Sequence, residues 1–137
     1  MTLSTESETF KVEAGESLTY NVQPLLHEIR HGLGQLLENN ATTTIDLRSI
    51  PLAPGEEDEI FATLGTGEVR AQLSALGPSE ITETRYPGVW LVTHYNNNDE
   101  IIGRFIEVCA MPRLLQAQAE DIQDGLDRLN EQLGKRE

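Results

Sequence analysis

The chain has 137 residues, 38% of them hydrophobic, and a formal charge of −13 from 10 basic against 23 acidic side chains. That length closes a single core without disulfides or metal, and the lone Cys109 rules out an intrachain disulfide. An acidic balance this strong repels phosphate backbones and argues against nucleic acid, while Met1 to Gly15 lacks the basic start and apolar run of a secretory signal, so a soluble, cytoplasmic protein is expected.

Residues 1–20 are polar and acidic and are expected to form a tail ahead of one domain over 21–137. Val22 to Asn39 is the first strong element. Val22, Leu25, Leu26, Ile29, Leu33, Leu36 and Leu37 share one helical stripe, and Pro24 fits a first turn, where its missing N–H is not needed. Gly32 and Gly34 each cost helix stability, so they either permit close packing or serve nothing. Thr42 to Leu47 is rich in β-branched residues and is predicted as a strand. Pro51 and Pro54 then force a loop. Gly55 to Leu64 is predicted as a short helix, with Glu56, Glu57 and Asp58 at the dipole end that favours acids.

Glu68 to Ser74 alternates Val69, Ala71 and Leu73 with polar residues, the pattern of a half-buried strand. Glu80 to Arg85 alternates again beyond the Gly77-Pro78 turn. Pro87-Gly88 turns the chain into Val89 to Tyr95, predicted as a central strand, and Asn96 to Asp99 connects it to Ile101 to Cys109. No apolar run is long enough to span a bilayer, so membrane insertion is not expected. Pro112 is predicted to open a last helix that runs to about Gly134. Its stripe, Leu115, Ala119, Ile122, Leu126, Leu129 and Leu133, is expected to lie on the sheet or another helix, with pairing between two chains as the other use of such spacing. Short connections imply an antiparallel meander. The expected fold is α+β, an antiparallel sheet covered by helices mainly on one face.

One short pattern has the form of catalytic chemistry. His27-Glu28-Ile29-Arg30-His31 matches H-E-x-x-H, in which two imidazoles four apart on a helix bind zinc and the glutamate activates water. A catalytic zinc needs a third protein ligand, and the remaining histidine, His94, lies far along the chain. The wheel also places His31 nearly opposite the apolar stripe, with His27 beside it, so the pair is expected to face solvent. An ordinary polar helix face is the preferred reading; a weak metal site at His27 and His31, and a zinc-dependent hydrolase, stand behind it. No catalytic residue and no cofactor are assigned. Cys109 is expected to pack as a small hydrophobe, reactive only if exposed beside a base.

Several segments, in order, resemble one family: Leu26 to His31, Leu36-Leu37-Glu38, Ile45 to Leu52, Leu64-Gly65, Gly67-Glu68-Val69, Leu76 to Ile81, Glu83 to Trp90, Ile106-Glu107-Val108, Pro112, Leu114-Leu115 and Asp121-Ile122. Together they are similar to the C-terminal conserved region of the HupH/HyaF hydrogenase expression proteins. The resemblance implies a non-enzymatic, chaperone-like accessory in NiFe-hydrogenase maturation. Its implied partner is an immature hydrogenase subunit, the small subunit favoured, or another maturation protein. Nickel or iron delivery is the alternative within the same role. Longer members carry more sequence before this region, and a single module would do part of the job or pair with itself as a homodimer. The acidic surface would suit a basic segment of the client. The partner contacts expected are Arg48 and Arg85, through bidentate bonds, and Trp90 as an anchor if partly exposed; the other readings are intramolecular pairing for the arginines and plain core for Trp90.

Overall fold

The computed structural model describes residues 21–74 and 77–135; the expected polar tail over 1–20 lies outside them. The chain order is α1 (Val22–Asn39), β1 (Thr43–Asp46), a 3₁₀ turn (Leu47–Ser49), α2 (Glu56–Leu64), β2 (Arg70–Leu73), β3 (Ser79–Glu83), β4 (Val89–Tyr95), β5 (Ile101–Val108), a second 3₁₀ turn (Arg113–Leu115) and α3 (Ala119–Gly134). The five strands form one sheet in the order β1-β5-β4-β3-β2, antiparallel throughout. The α+β meander expected from the sequence is the observed architecture.

Strand alternation divides the hydrophobic residues between two faces. Ile45, Val89, Ile106 and Val108 face α1 and α2 and join Val22, Leu25, Ile29, Ile60 and Leu64 in the main core. Gly32 is buried where α1 meets this layer: a side chain there would press on Thr43 and Val108, so its absence lets the helix sit close to β1 and β5. Gly34 has open space around it and no such role. The second helix is started by a local exchange: Glu56 is buried, and its Oε1 accepts the Ala53 N–H at 2.7 Å while its own N–H donates to the Ala53 carbonyl at 3.0 Å. Arg104 of β5 then ties the sheet to α2, bonding Glu57 at 2.5 Å and lying 4.4 Å from the Phe61 ring centroid.

On the opposite face, Ile81, Trp90 and Val92 form a smaller cluster with Cys109, flanked by Ala71, Leu73, Phe105 and Leu115. Its cover is the irregular stretch after β5, and here the structure corrects the sequence reading. Pro112 does not open a helix. Its ψ of 140° is extended, Arg113–Leu115 makes a single 3₁₀ turn, and Gln116 and Gln118 are extended again before the helix begins at Ala119. Leu115 leaves the helical stripe and packs against the cluster of Ile81, Trp90, Val92 and Cys109 instead. The expectation that the last helix lies on the sheet is overturned as well: no residue of α3 is buried, and Ile122, Leu126, Leu129 and Leu133 are 51–59% exposed.

Candidate functional site

The stripe of α1 is broader than its core contact. Leu25 and Ile29 are buried, whereas Leu26, Leu33 and Leu36 are half-buried and Leu37, one turn beyond Leu33, is 88% exposed. Leu26, Leu33 and Leu37 form one edge of the stripe, and Leu26 and Leu33 face the end of α2 and the turn joining β3 to β4.

That turn is built to stay in place. The Thr84 hydroxyl donates to the Val89 carbonyl at 2.8 Å, and Val89 N–H donates to the Tyr86 carbonyl at 2.9 Å. Gly88 takes a left-handed φ of 97°, and its lack of a side chain leaves room for Leu33. Tyr86 is thereby held against α1. Leu26, Ile29, Leu33, Leu64 and Tyr86, with Thr63 and Arg30, line a surface groove of about 260 Å³. Its walls are aliphatic and aromatic carbon with one cation on the rim. The lining includes no carboxylate, histidine or cysteine; what the walls can do is take an apolar side chain from another molecule.

A second depression, about 620 Å³, lies on the other face of the sheet between β1, β5 and the segment leading to α3. It is polar, lined by Thr44, Glu107, Cys109, Met111, Arg113 and Gln116 among others. Burial raises the Glu107 carboxyl above its ordinary value, partly offset by His94. Burial, and then the Glu107 charge, push the Cys109 thiol up to about 11. A thiol held protonated is a poor nucleophile, so Cys109 is a packing residue. Ser79 and His94 share a 2.7 Å hydrogen bond across β3 and β4, and the His94 ring meets Phe105 edge-on at 5.7 Å. In the ladder His94 stands opposite Gly103 and Glu107 opposite Trp90, so the three do not line up as a triad.

The residues singled out in the sequence do not converge. Trp90 is 5% exposed, and its Nε1 donates to the Cys109 carbonyl at 3.1 Å, which places it in the core. Arg48 donates to the Ile101 carbonyl at 2.8 Å, at the start of β5. Arg85 lies against Gly65 and donates to the Ala62 carbonyl at 3.4 Å, a cation at the negative end of α2. Ile101 and the Val89 end of the sheet, beside Arg85, are opposite ends of the β4–β5 ladder. Both arginines are exposed beyond these bonds, and only Arg85 is near the groove. His27 and His31 are exposed on α1. Among the described residues no group of three or more His, Cys, Asp or Glu side chains is placed to hold a metal.

The groove was not assembled from the sequence, although two signals were present. The α1 stripe spans more arc than one packing contact needs, and Tyr86 sits beside Pro87-Gly88, where a turn exposes an aromatic.

Comparison with known proteins gives one answer. Residues 19–135 match the family described as HupH hydrogenase expression protein, C-terminal conserved region. The chain is 32% identical over 113 residues to the hydrogenase expression/formation protein HupQ of Azotobacter chroococcum, covering 81% of this chain and 40% of that protein. It is 35% identical over 91 residues to the HupH of Rhodobacter capsulatus, covering 64% and 33%. The solved structure of the hydrogenase expression protein HupH from Thiobacillus denitrificans superimposes with a TM-score of 0.82 at 36% identity, covering 87% of this chain and 99% of that one. The chain thus spans about 40% of the length of the curated relative HupQ. A match along nearly the whole folded region, in sequence and in backbone, means that the chain belongs to the HupH hydrogenase expression protein family, in the region that forms its C-terminal part.

Proposed function

We propose that this module serves NiFe-hydrogenase maturation in the cytoplasm as a non-enzymatic accessory that docks onto an immature hydrogenase subunit, the small subunit favoured. The relatives' names, hydrogenase expression/formation proteins, support the process. The observation that carries the mode of action is the apolar groove between α1, α2 and the Thr84–Val89 turn. Leu37, exposed one turn beyond Leu33 on the same edge of α1, offers the client a further apolar contact, and Tyr86, 44% exposed, lines the groove's far side. An apolar segment of the client, not yet buried in its own fold, fills the groove. The chain's overall charge of −13 attracts a client segment that is also basic. No resident metal or cofactor enters this reading, and it excludes a zinc hydrolase built on His27, Glu28 and His31.

Separately expressed large and small subunits, passed over the immobilised chain, test it. The small subunit is expected to be retained, and the double variant Leu37→Asp, Tyr86→Ala is expected to release it with the chain's melting temperature nearly unchanged. Raised salt weakens the charge contribution alone. Equal retention by wild type and variant would remove the groove from the mechanism. Retention of neither subunit would remove direct docking altogether.

A further inference from the structure

The apolar stripe of α3 has no cover among the described residues, and its surroundings name the cover. The five stripe residues Ala119, Ile122, Leu126, Leu129 and Leu133 follow the three-four spacing of a coiled-coil seam. The positions flanking such a seam decide what it accepts. Here they are Gln118, Gln123, Gly125, Asn130 and Gln132, all uncharged. Every charged residue of the helix, Glu120, Asp121, Asp124, Asp127, Arg128 and Glu131, falls on the far side. A chain of net charge −13 would be repelled by its own copy along most surfaces; along this one it meets no like charge.

We infer that α3 pairs with α3 of a second copy, antiparallel, as a short two-helix coiled coil. Three observations fix this occupant and direction. First, α3 by itself is a weak helix: Gln118 gives it no side-chain cap, no basic residue stands in its last turn, Gly125 in its interior lowers its stability, and nothing in it is buried. A helix of 16 residues with those defects needs a packing partner to persist in water. The first twenty residues make a poor one, because Glu6, Glu8, Glu13 and Glu16 are spread through them.

Second, the layers match best with the helices opposed. Centred near Asp124, an antiparallel pair sets Ile122 against the partner's Leu126 and small Ala119 against the partner's Leu129, with Leu133 beyond the overlap. The parallel alternative stacks Ala119 on Ala119 and Ile122 on Ile122, which leaves a thin layer and puts a β-branched residue at the position where parallel dimers favour leucine. In the antiparallel pair Gly125 lies at the crossing point opposite the partner's Gly125, where a missing side chain permits close approach. Its surroundings within the chain are open and give no other reason for it.

Third, the antiparallel arrangement keeps the two acidic bodies at opposite ends of the coil, about 15 Å apart by helical rise. A parallel pair would bring them together.

Sedimentation of the full chain against concentration tests the pairing. The expected result is a concentration-dependent species of twice the 15.2 kDa chain mass, lost in Leu126→Asp, with Trp90 fluorescence unchanged because that side chain is in the sheet core. Direction is read by cross-linking. Gln123 flanks the crossing point beside its own copy, so Gln123→Cys is expected to form a covalent dimer under mild oxidation, whereas Glu131→Cys on the outer face is not; the native Cys109 is buried and silent. A chain that stays monomeric up to about 100 µM, where even a weak pair would populate, overturns the inference. So does a dimer that survives Leu126→Asp. A dimer lost in Leu126→Asp but not cross-linked through Gln123→Cys overturns the antiparallel arrangement.

Discussion

The first and last helices are similar in sequence character and opposite in use. Both are long and amphipathic, 18 and 16 residues, with apolar residues at helical spacing. The stripe of α1 meets a sheet face of Ile45, Ile106 and Val108 and disappears into the core; the stripe of α3 meets nothing described. The difference lies in what precedes each helix. A few residues join α1 to β1, and Gly32 lets the two pack closely. Before α3, the stretch after β5 already packs Leu115 against the cluster on the other sheet face, so that cluster is covered by an irregular segment and not by the helix. Periodicity therefore reports that a helix has a partner without saying whether that partner lies in the same chain.

Substitutions along the two stripes sharpen the contrast. Ile29→Ala empties a buried site of α1 and is expected to cost about 2–5 kcal/mol in denaturant unfolding. Gly34→Ala, on the open side of the same helix, is expected to add about 1 kcal/mol. Gly32→Ala should fail to show that gain, since its methyl would press on Thr43 and Val108.

A smaller effect belongs to the face that α3 does not cover. Burial raises the Glu107 carboxyl above 4.5, the unfolded-like value, so the folded state holds a proton there that the unfolded state has lost. Stability from this group is greatest below pH 4.5 and declines as pH rises through the raised folded value. Glu107→Gln removes that decline: at neutral pH the variant is expected to melt higher than wild type, and below pH 4.5 the two should converge. A variant that melts lower at neutral pH would mean that the ionised carboxylate is held by favourable contacts. At the small end, Leu126→Asp in dilute solution is expected to move the unfolding free energy of the sheet by less than about 0.5 kcal/mol. A loss the size of that for Ile29→Ala would place the α3 stripe in the chain's own core.

Much of this was legible in the residues. The alternation around Val89 to Tyr95 and Ile101 to Val108, and the turns at Gly77-Pro78, Pro87-Gly88 and Asn96 to Asp99, give the meander with the strand bounds observed to within a few residues. The start of the last helix was not legible, because Leu115 happens to continue the spacing of Ala119 and Ile122 while the backbone between them is extended. Arg48, Arg85 and Trp90 were singled out by residue type, but their contacts are tertiary: a carbonyl at the far end of β5, the end of α2, and the carbonyl of Cys109. The groove depends on three elements meeting, and local pattern supplies only one wall of it. His27 and His31 were placed correctly on the exposed side because a helical wheel needs no tertiary information.

The central claim, docking through the groove, is tested most directly by hydrogen exchange on the chain with and without the purified hydrogenase small subunit. Docking there slows exchange in the Leu26 to Leu37 stretch of α1, at the end of α2 around Thr63 and Leu64, and in the Thr84 to Val89 turn. Slowing confined to the polar cleft around Thr44, Glu107 and Arg113, with the groove unchanged, would contradict it.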